Sequence, residues 1–573
     1  MYRIAEINLT GGDTIRPGNL TLAVGPNNGG KSQLLRDLVT AIAFPSMPRK
    51  AIRSISPSYI NGPLHVLQTI SSGAQVDGSG NAIFDIPSPD FHQPQQLRVN
   101  KQHLDNILSE RSTDEERTRL IEGSLGRHLV SHMTTERRLL LVKRQVNRSQ
   151  NIEGDQTPIE AAYAASQETL DWINERVAAA FHTKLVLDNT QFASIEFRLG
   201  EFDNLIQDRG ERQREIRALP SLDDQGDGIR SFCGILVSIL TSLRPVIVVD
   251  EPEAFLHPPQ AYLIGQALAE LRNRGVQLFV ATHSADVLRG ILSITTEATI
   301  LRLSRQNGSF KTQILNSDDL TKITEHPVLS SARVLDGLFY SAVAVTESDG
   351  DVVLYRDILK DYDTAASIGF INSYSKQLSA KIATPFRAMG VPCAVIVDFD
   401  VLRERTCLRN TFEALGGEWE TIRVNYDLFL RSVEGSDTAK FRLSAALSHI
   451  NKIRKRARNQ GDERNQITWL RARLKDVRES ASVWGELKKR GKFGLTEGAQ
   501  IYDSITKECT RLGLFIVPVG EREAWLTPEI PYKADKQKWT EVALTHLRRH
   551  PLPEDHLLRR FIEDVHKFCN GTS

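Results

Sequence analysis

From Tyr2 the chain alternates apolar and polar positions and then runs into the apolar stretch Leu20–Val24, a pattern that predicts strands. A Gly-rich turn follows, and apolar positions at helical spacing from Ser32 to Phe44 predict a helix. Residues 53–100, rich in Ser, Gly, Pro and Gln, read as loop. Between Lys101 and Phe181 charged positions dominate, with few Gly or Pro, and the expectation is a helical insertion, its charge explained by solvated faces or by a dimer contact. Strands are expected again at KLVLDN and ASIEFRL, and from Gly234 to Leu303 helical patterns alternate with the apolar strands VIVVD and VQLFVA. Near Tyr340 a second block begins. Its strand-like runs AVAVT, ASIGFI, CAVIVDF and LFIVPV alternate with helical patterns at Asp351–Lys360 and Leu378–Met389, which predicts βαβ units and a mainly parallel sheet. Both blocks therefore read as α/β.

Composition narrows this picture. A chain of 573 residues implies two or more domains, and 40% hydrophobic with 25% charged residues excludes wholesale disorder. The formal net charge of +1 excludes a protein that coats nucleic acid by bulk positive charge. Locally the balance fails: residues 452–492 carry fourteen Lys or Arg against five Asp or Glu, a charge of +9. With Trp469 and Trp484 nearby, that stretch is a candidate nucleic-acid contact, the bland alternative being a solvated helical hairpin. The five scattered cysteines form no C-x-x-C pair, which argues against a zinc ribbon or a disulfide framework. The opening MYRIAEINLTGGD lacks a signal-peptide pattern, and no apolar run reaches the ~18 residues of a membrane span. The expectation is a soluble cytoplasmic protein without membrane contact.

The first chemical motif is Gly25-Pro26-Asn27-Asn28-Gly29-Gly30-Lys31-Ser32, which fits G-x-x-x-x-G-K-[ST] between an expected strand and an expected helix. Backbone N–H groups over Asn27, Asn28, Gly29 and Gly30 would curl around phosphate oxygens at a helix N-terminus, Lys31 would reach the β/γ-phosphates, and Ser32 would ligate Mg²⁺. The strand Val246–Asp250 then delivers Asp250, placed to support the Mg²⁺ shell, and Glu251, placed as general base for an attacking water. His283 follows the strand LeuPheValAla, where it could sense the γ-phosphate; the alternative is a packing residue. In the second block Glu347-Ser348-Asp349-Gly350-Asp351 follows one strand and Asp398-Phe399-Asp400 another. Acids at the carboxyl ends of neighbouring parallel strands converge on one sheet edge, and clustered carboxylates repel unless Mg²⁺ or Mn²⁺ lies between them.

The order phosphate loop, Asp-Glu-Pro-Glu-x-x-Leu-His-Pro and Ala-Thr-His-Ser resembles an ABC-type ATPase of the recombination-repair branch, whose phosphate-binding halves dimerise head to tail. The segment Gln225–Arg230 stands where that family has its Ser-Gly-Gly signature; the serine is missing and Ser231 comes later, which puts hydrolysis in doubt but not nucleotide binding. The second acid set resembles the Toprim domain, with Glu347 and Asp351 matching its first motif, Asp398 and Asp400 its second, and Glu523 its late acid. That resemblance implies a neutralising lysine among Lys533, Lys536 and Lys538. It also implies two-metal hydrolysis, one ion on Glu347 and Asp398 and the other on Asp400 and Glu523.

Together the two halves are similar to OLD-family nucleases, a group that includes the nuclease of the Gabija antiphage system. The implied architecture is an ABC-type P-loop ATPase over 1–340, with the helical insertion at 101–181, followed by a Toprim Rossmann-like parallel-sheet domain over 341–573 with a basic helical insertion at about 430–495. The implied function is a nucleotide-regulated, divalent-metal-dependent endonuclease of antiphage defence. It would bind ATP and Mg²⁺, with Mn²⁺ as the alternative ion, and form a homodimer or higher homo-oligomer through the ATPase domain. DNA or RNA and a defence-system partner would be its other partners. Two alternatives stay open: an ATPase sensor or scaffold that recruits or restrains an effector, and a Toprim RNase acting on tRNA.

Overall fold

In the computed structural model the chain divides into two compact units, Met1–Phe339 and Tyr340–Ser573. The structure describes residues 1–71, 74–86, 95–146, 157–191, 194–201, 208–242, 244–306, 309–315, 332–363, 367–435, 483–495, 497–531 and 536–571, with single positions between 447 and 470. Most of the basic stretch 452–492, including Lys455, Arg456, Arg458 and Trp469, lies outside the described residues, and so does Lys533.

The first unit is built on a six-stranded sheet in the order Ser309–Leu315, Thr299–Gln306, Leu20–Val24, Gln277–Ala281, Val246–Asp250, Val130–Met133. Only the hairpin Thr299–Gln306/Ser309–Leu315 is antiparallel; the other neighbours run parallel. A parallel sheet is covered on both faces, so its strands read as unbroken apolar runs. Val246–Val249 and Leu278–Ala281 are accordingly buried. Each such Val, Ile, Leu or Phe side chain contributes roughly 1.5–3 kcal/mol. The helix Lys31–Ala43 packs on three of these strands, which fixes the phosphate-loop turn just ahead of it against the sheet's carboxyl edge.

Two sequence expectations are corrected. Residues 53–100 are not simply loop: Ile52–Tyr59 pairs with Tyr2–Leu9, the helix Gly62–Ser71 follows, and Asn81–Ile86 pairs with Gln95–Asn100. The stretch 101–181 is not helical throughout, because Val130–Met133 is the edge strand of the central sheet, registered Val246↔Val130 to Val249↔Met133. Four residues flanked by charged helices carry too little periodicity to announce a strand; pairing with Val246–Asp250 supplies what the local pattern lacks.

That edge strand carries a pH-sensitive residue. Burial, reinforced by Arg36, pushes the His132 imidazole down to about 4, and its Nε2 is shut away without a hydrogen-bond partner. The folded unit therefore binds fewer protons than the unfolded chain, so stability is full above the ordinary pKa of 6.5 and is lost as pH falls toward about 4. The loss is at most about 3 kcal/mol. Thermal melting of His132→Gln should show a shallower decline than the native chain between those two pH values.

The second unit holds a four-stranded, wholly parallel sheet in the order Ile368–Asn372, Ala342–Thr346, Cys393–Val397, Leu514–Ile516. Each strand runs into a turn at the same edge, and the turns after the two inner strands bring Glu347 and Asp398 together. Helices Asp349–Leu359, Lys536–Arg549 and Leu557–Cys569 bury Tyr355, Trp539 and Ile562 against the sheet. Among the described residues no helix is long and apolar enough to cross a membrane.

Candidate functional site

In the first unit, the turn Gly25–Gly30 adopts conformations that only its own residue types allow. Gly25 has φ +136°, and a Cβ there would lie 2.1 Å from the Leu303 carbonyl oxygen. Gly30 has φ +101°, with Phe310 where its Cβ would fall. Asn28, at φ +63°, is of a type that tolerates the left-handed region. The Lys31 ammonium donates to the carbonyls of Gly25 (2.8 Å) and Pro26 (3.0 Å), folded back over its own loop. Burial lowers its pKa, opposed by Glu251, Glu253 and Asp250. Ser32 Oγ donates to Asp250 Oδ1 at 3.1 Å, so the hydroxyl and carboxylate expected around one Mg²⁺ already face each other. Burial raises the Asp250 pKa, the Ser32 bond opposes that, and Glu251 adds to it.

Glu251 lies at φ +50°, strained for a glutamate, with its N–H donating to the Ala281 carbonyl. The two glutamates of the Asp-Glu-Pro-Glu run divide their work. Glu253 is buried and accepts from Thr282 Oγ1 (2.9 Å) and the His283 N–H (2.8 Å), whereas the Glu251 side chain is 41% exposed. His283 Nδ1 stands 3.3 Å from Glu253 and 3.5 Å from Glu251, so the histidine expected at the γ-phosphate does join the acids. Gly226 caps the helix Asp227–Thr241, placing Gln225–Arg230 at a helix N-terminus. Ser231 is fully buried within that helix, so it cannot stand in for the missing signature serine.

Sequence reasoning missed Arg138. It is fully buried, and its Nη1 donates to the carbonyls of Asp250 (2.6 Å) and Glu251 (2.9 Å), fixing the turn that carries both acids. Burial lowers its pKa to about 10. It lies just past the edge strand hidden in the stretch read as an insertion.

In the second unit, Glu347 Oε1 accepts the Asp398 N–H at 3.0 Å across neighbouring strand ends. Burial raises Glu347 to about 7; the Asp398 N–H and the Lys376 ammonium oppose this, and Asp400 and Asp351 add repulsion. Asp398 is raised well above the ordinary carboxylate range by burial and then by Glu347 and Asp351. Asp400 and Lys376 meet at 2.9 Å, and the same ammonium lies 2.8 Å from Glu404. Asp351 Oδ2 closes a capping box with Ser348 N and Oγ, while its Oδ1 lies 3.3 Å from Arg522. Ser348, where the Toprim pattern has glycine, is thus a helix cap that also accepts from Arg522 Nη1. Glu523 is fully buried, bonded through Oε1 to Arg522 at 2.7 Å, with Oε2 lacking a hydrogen-bond partner.

Of the late lysines, Lys536 reaches the acids, at 2.8 Å from Glu521 and 3.7 Å from Glu523. Lys538 is exposed. Glu521, Arg522 and Lys376 were not singled out in the sequence; the first two sit inside the motif that named Glu523, and Lys376 had no local signal. Among the described residues no group of three or more His, Cys, Asp or Glu is arranged to hold a metal ion.

Residues 135–289 match the family described as "AAA domain, putative AbiEii toxin, Type IV TA system". A curated relative is the "Old nuclease" of Escherichia phage P2, 26% identical over 168 residues, or 27% of this chain and 28% of that protein. The match spans little more than a quarter of that relative's length. Similar solved structures include an Smc head bound to the C-winged helix domain of ScpA, 14% identical, covering 56% of this chain and 99% of that one at a TM-score of 0.32. Another is the ADP conformation of MJ1267, an ATP-binding cassette of an ABC transporter, 14% identical, covering 57% and 96% at 0.25. TM-scores this low carry no weight for this chain.

Proposed function

We propose that this chain is a nucleotide-regulated, divalent-metal-dependent Toprim endonuclease that cleaves DNA by phosphodiester hydrolysis in antiphage defence, a reading supported by its partial similarity to the Old nuclease of Escherichia phage P2 and by the AAA-domain match over 135–289. The observation that carries this is the Glu347–Asp398 pair. Two half-buried carboxylates meet at the carboxyl edge of a parallel sheet, and neither has an ion-pair partner among the described residues. Such a pair is costly as mere structure and suits a hard cation, since Mg²⁺ is commonly held by one or two carboxylates plus substrate oxygens.

Glu347 and Asp398 would hold Mg²⁺ or Mn²⁺, and Glu523 Oε2, which has no hydrogen bond and lies 3.7 Å from Lys536, offers a further hard oxygen. When bound, the ion supplies Lewis-acid polarisation of the phosphoryl group and a more acidic water. Lys536 stands ready to neutralise phosphate charge, and Arg522 fixes Glu523 and Asp351. In the first unit, Lys31, Ser32 and Asp250 would hold Mg²⁺-ATP, with Glu251 orienting water. ATP would set the state of a homo-oligomer formed through the ATPase unit.

The test is incubation of the full chain with supercoiled plasmid or with tRNA, plus Mg²⁺ or Mn²⁺, with and without ATP. Plasmid nicking that needs metal and disappears in Glu347→Ala is the expected result, with Lys31→Ala changing only its response to ATP. Cleavage that survives Glu347→Ala overturns the site, and cleavage of tRNA alone overturns the DNA assignment. No cleavage of either substrate favours the scaffold ATPase.

A further inference from the structure

Most of the acids gathered at this sheet edge come with their own cations, and the distribution is uneven. Arg522 serves Asp351 (3.3 Å) and Glu523 (2.7 Å). Lys536 serves Glu521 (2.8 Å), with Glu523 at 3.7 Å. Lys376 serves Asp400 (2.9 Å) and Glu404 (2.8 Å). Among Glu347, Asp351, Asp398, Asp400, Glu404, Glu521 and Glu523, Glu347 and Asp398 are the two without an ion-pair partner among the described residues, and ionised together they match the charge of one divalent ion.

Lys376 is also built into its place. Ser373, fully buried, donates its N–H to the Thr346 carbonyl at 2.8 Å, and its hydroxyl lies 2.9 Å from that same oxygen and from the Ser375 carbonyl. The turn leading to Lys376 is therefore fastened to the strand end that presents Glu347. Cys407 Sγ donates to the Lys376 carbonyl, and Gln377 holds the second oxygen of Glu404. The lysine side chain is only 13% exposed. A surface ion pair would hold its partners by one long, mobile side chain; this one is fixed at both ends.

We propose that this site works with a single divalent cation, and that Lys376 supplies from within the protein the second positive charge, at the place beside Asp400 where a two-ion site would hold its second metal. This rests on the metal-nuclease reading and changes one part of it: Asp400 becomes the seat of a resident ammonium rather than a metal ligand. A second dication beside Asp400 would meet that ammonium at close range, and the repulsion excludes it.

The test counts ions. Full-length, nucleotide-free protein carrying Ser32→Ala, which weakens metal binding at the ATPase site, is titrated with Mn²⁺ by calorimetry, with free Mn²⁺ followed by electron paramagnetic resonance. The expected count is one tight Mn²⁺ per chain, abolished by adding Asp398→Asn. Adding Lys376→Ala raises it to two, and Lys376→Arg leaves it at one. Cleavage by the native chain should depend on Mn²⁺ to first order. Two tight ions in the Ser32→Ala protein, or a count that stays at one in Lys376→Ala with an unchanged melting profile, overturns the inference and leaves the metal-nuclease reading standing. No tight ion at all overturns both.

Discussion

Replacing Asp398 by asparagine should lower metal-dependent cleavage on the order of 10³-fold while making the metal-free protein harder to melt. The two effects have one cause. Asp398 is half-buried, and desolvation with the neighbouring Glu347 and Asp351 holds its carboxyl well above the usual range. A carboxyl raised in the folded state costs stability as pH climbs from its ordinary 3.8 toward the folded value, because the folded chain must then release a proton it binds more tightly than the unfolded chain does. Asparagine keeps the shape and the N–H to Glu347, and it removes the charge. The gain in melting temperature over the native chain should therefore grow with pH, at about 2–4 °C for each kcal/mol relieved. Cleavage rates and metal-free melting curves across pH check both halves. Unimpaired cleavage, or a variant that melts earlier, would sink the assignment of Asp398 as a metal-facing acid held at a stability cost.

A second large effect is expected in the first unit, on the ATPase reading proposed for it. Glu251→Gln should slow ATP hydrolysis by about 10²–10⁴-fold and leave ATP binding intact, whereas Lys31→Ala should lose binding. Geometry separates Glu251 from its neighbour: Glu253 is spent on Thr282 and His283, while Glu251 presents a partly exposed carboxylate beside His283. Its strained φ of +50° is held by the N–H to Ala281 and by Arg138 on its carbonyl, which points to placement of the side chain. Fluorescent-nucleotide binding and phosphate-release assays on the same preparations distinguish the two variants. Equal loss of binding in both would overturn the division of roles.

Much of this was legible in the sequence because it is local. Strands such as Val246–Asp250 and Ala342–Thr346 are announced by unbroken apolar runs, since a parallel strand buried on both faces can be little else. The phosphate loop is legible because its glycines answer to backbone conformations that exclude side chains. The acids after each strand are legible because the carboxyl edge of a parallel sheet is where strands give way to turns.

What the sequence left undecided depends on partners distant along the chain. Val130–Met133 becomes a strand through its register with Val246–Val249, and only then does Arg138 arrive behind Asp250 and Glu251. Of the late lysines, it is Lys536 that meets Glu521 and Glu523, because helix Lys536–Arg549 starts beside their turn. Lys376 carries no motif; its relation to Asp400, twenty-four positions on, exists only because their strands flank Ala342–Thr346 in one sheet. The sequence by itself determined which residues could carry charge and where the chain would turn. Tertiary structure decided which charges meet, because ion pairing falls off within a few ångströms and only the packed sheet sets those distances.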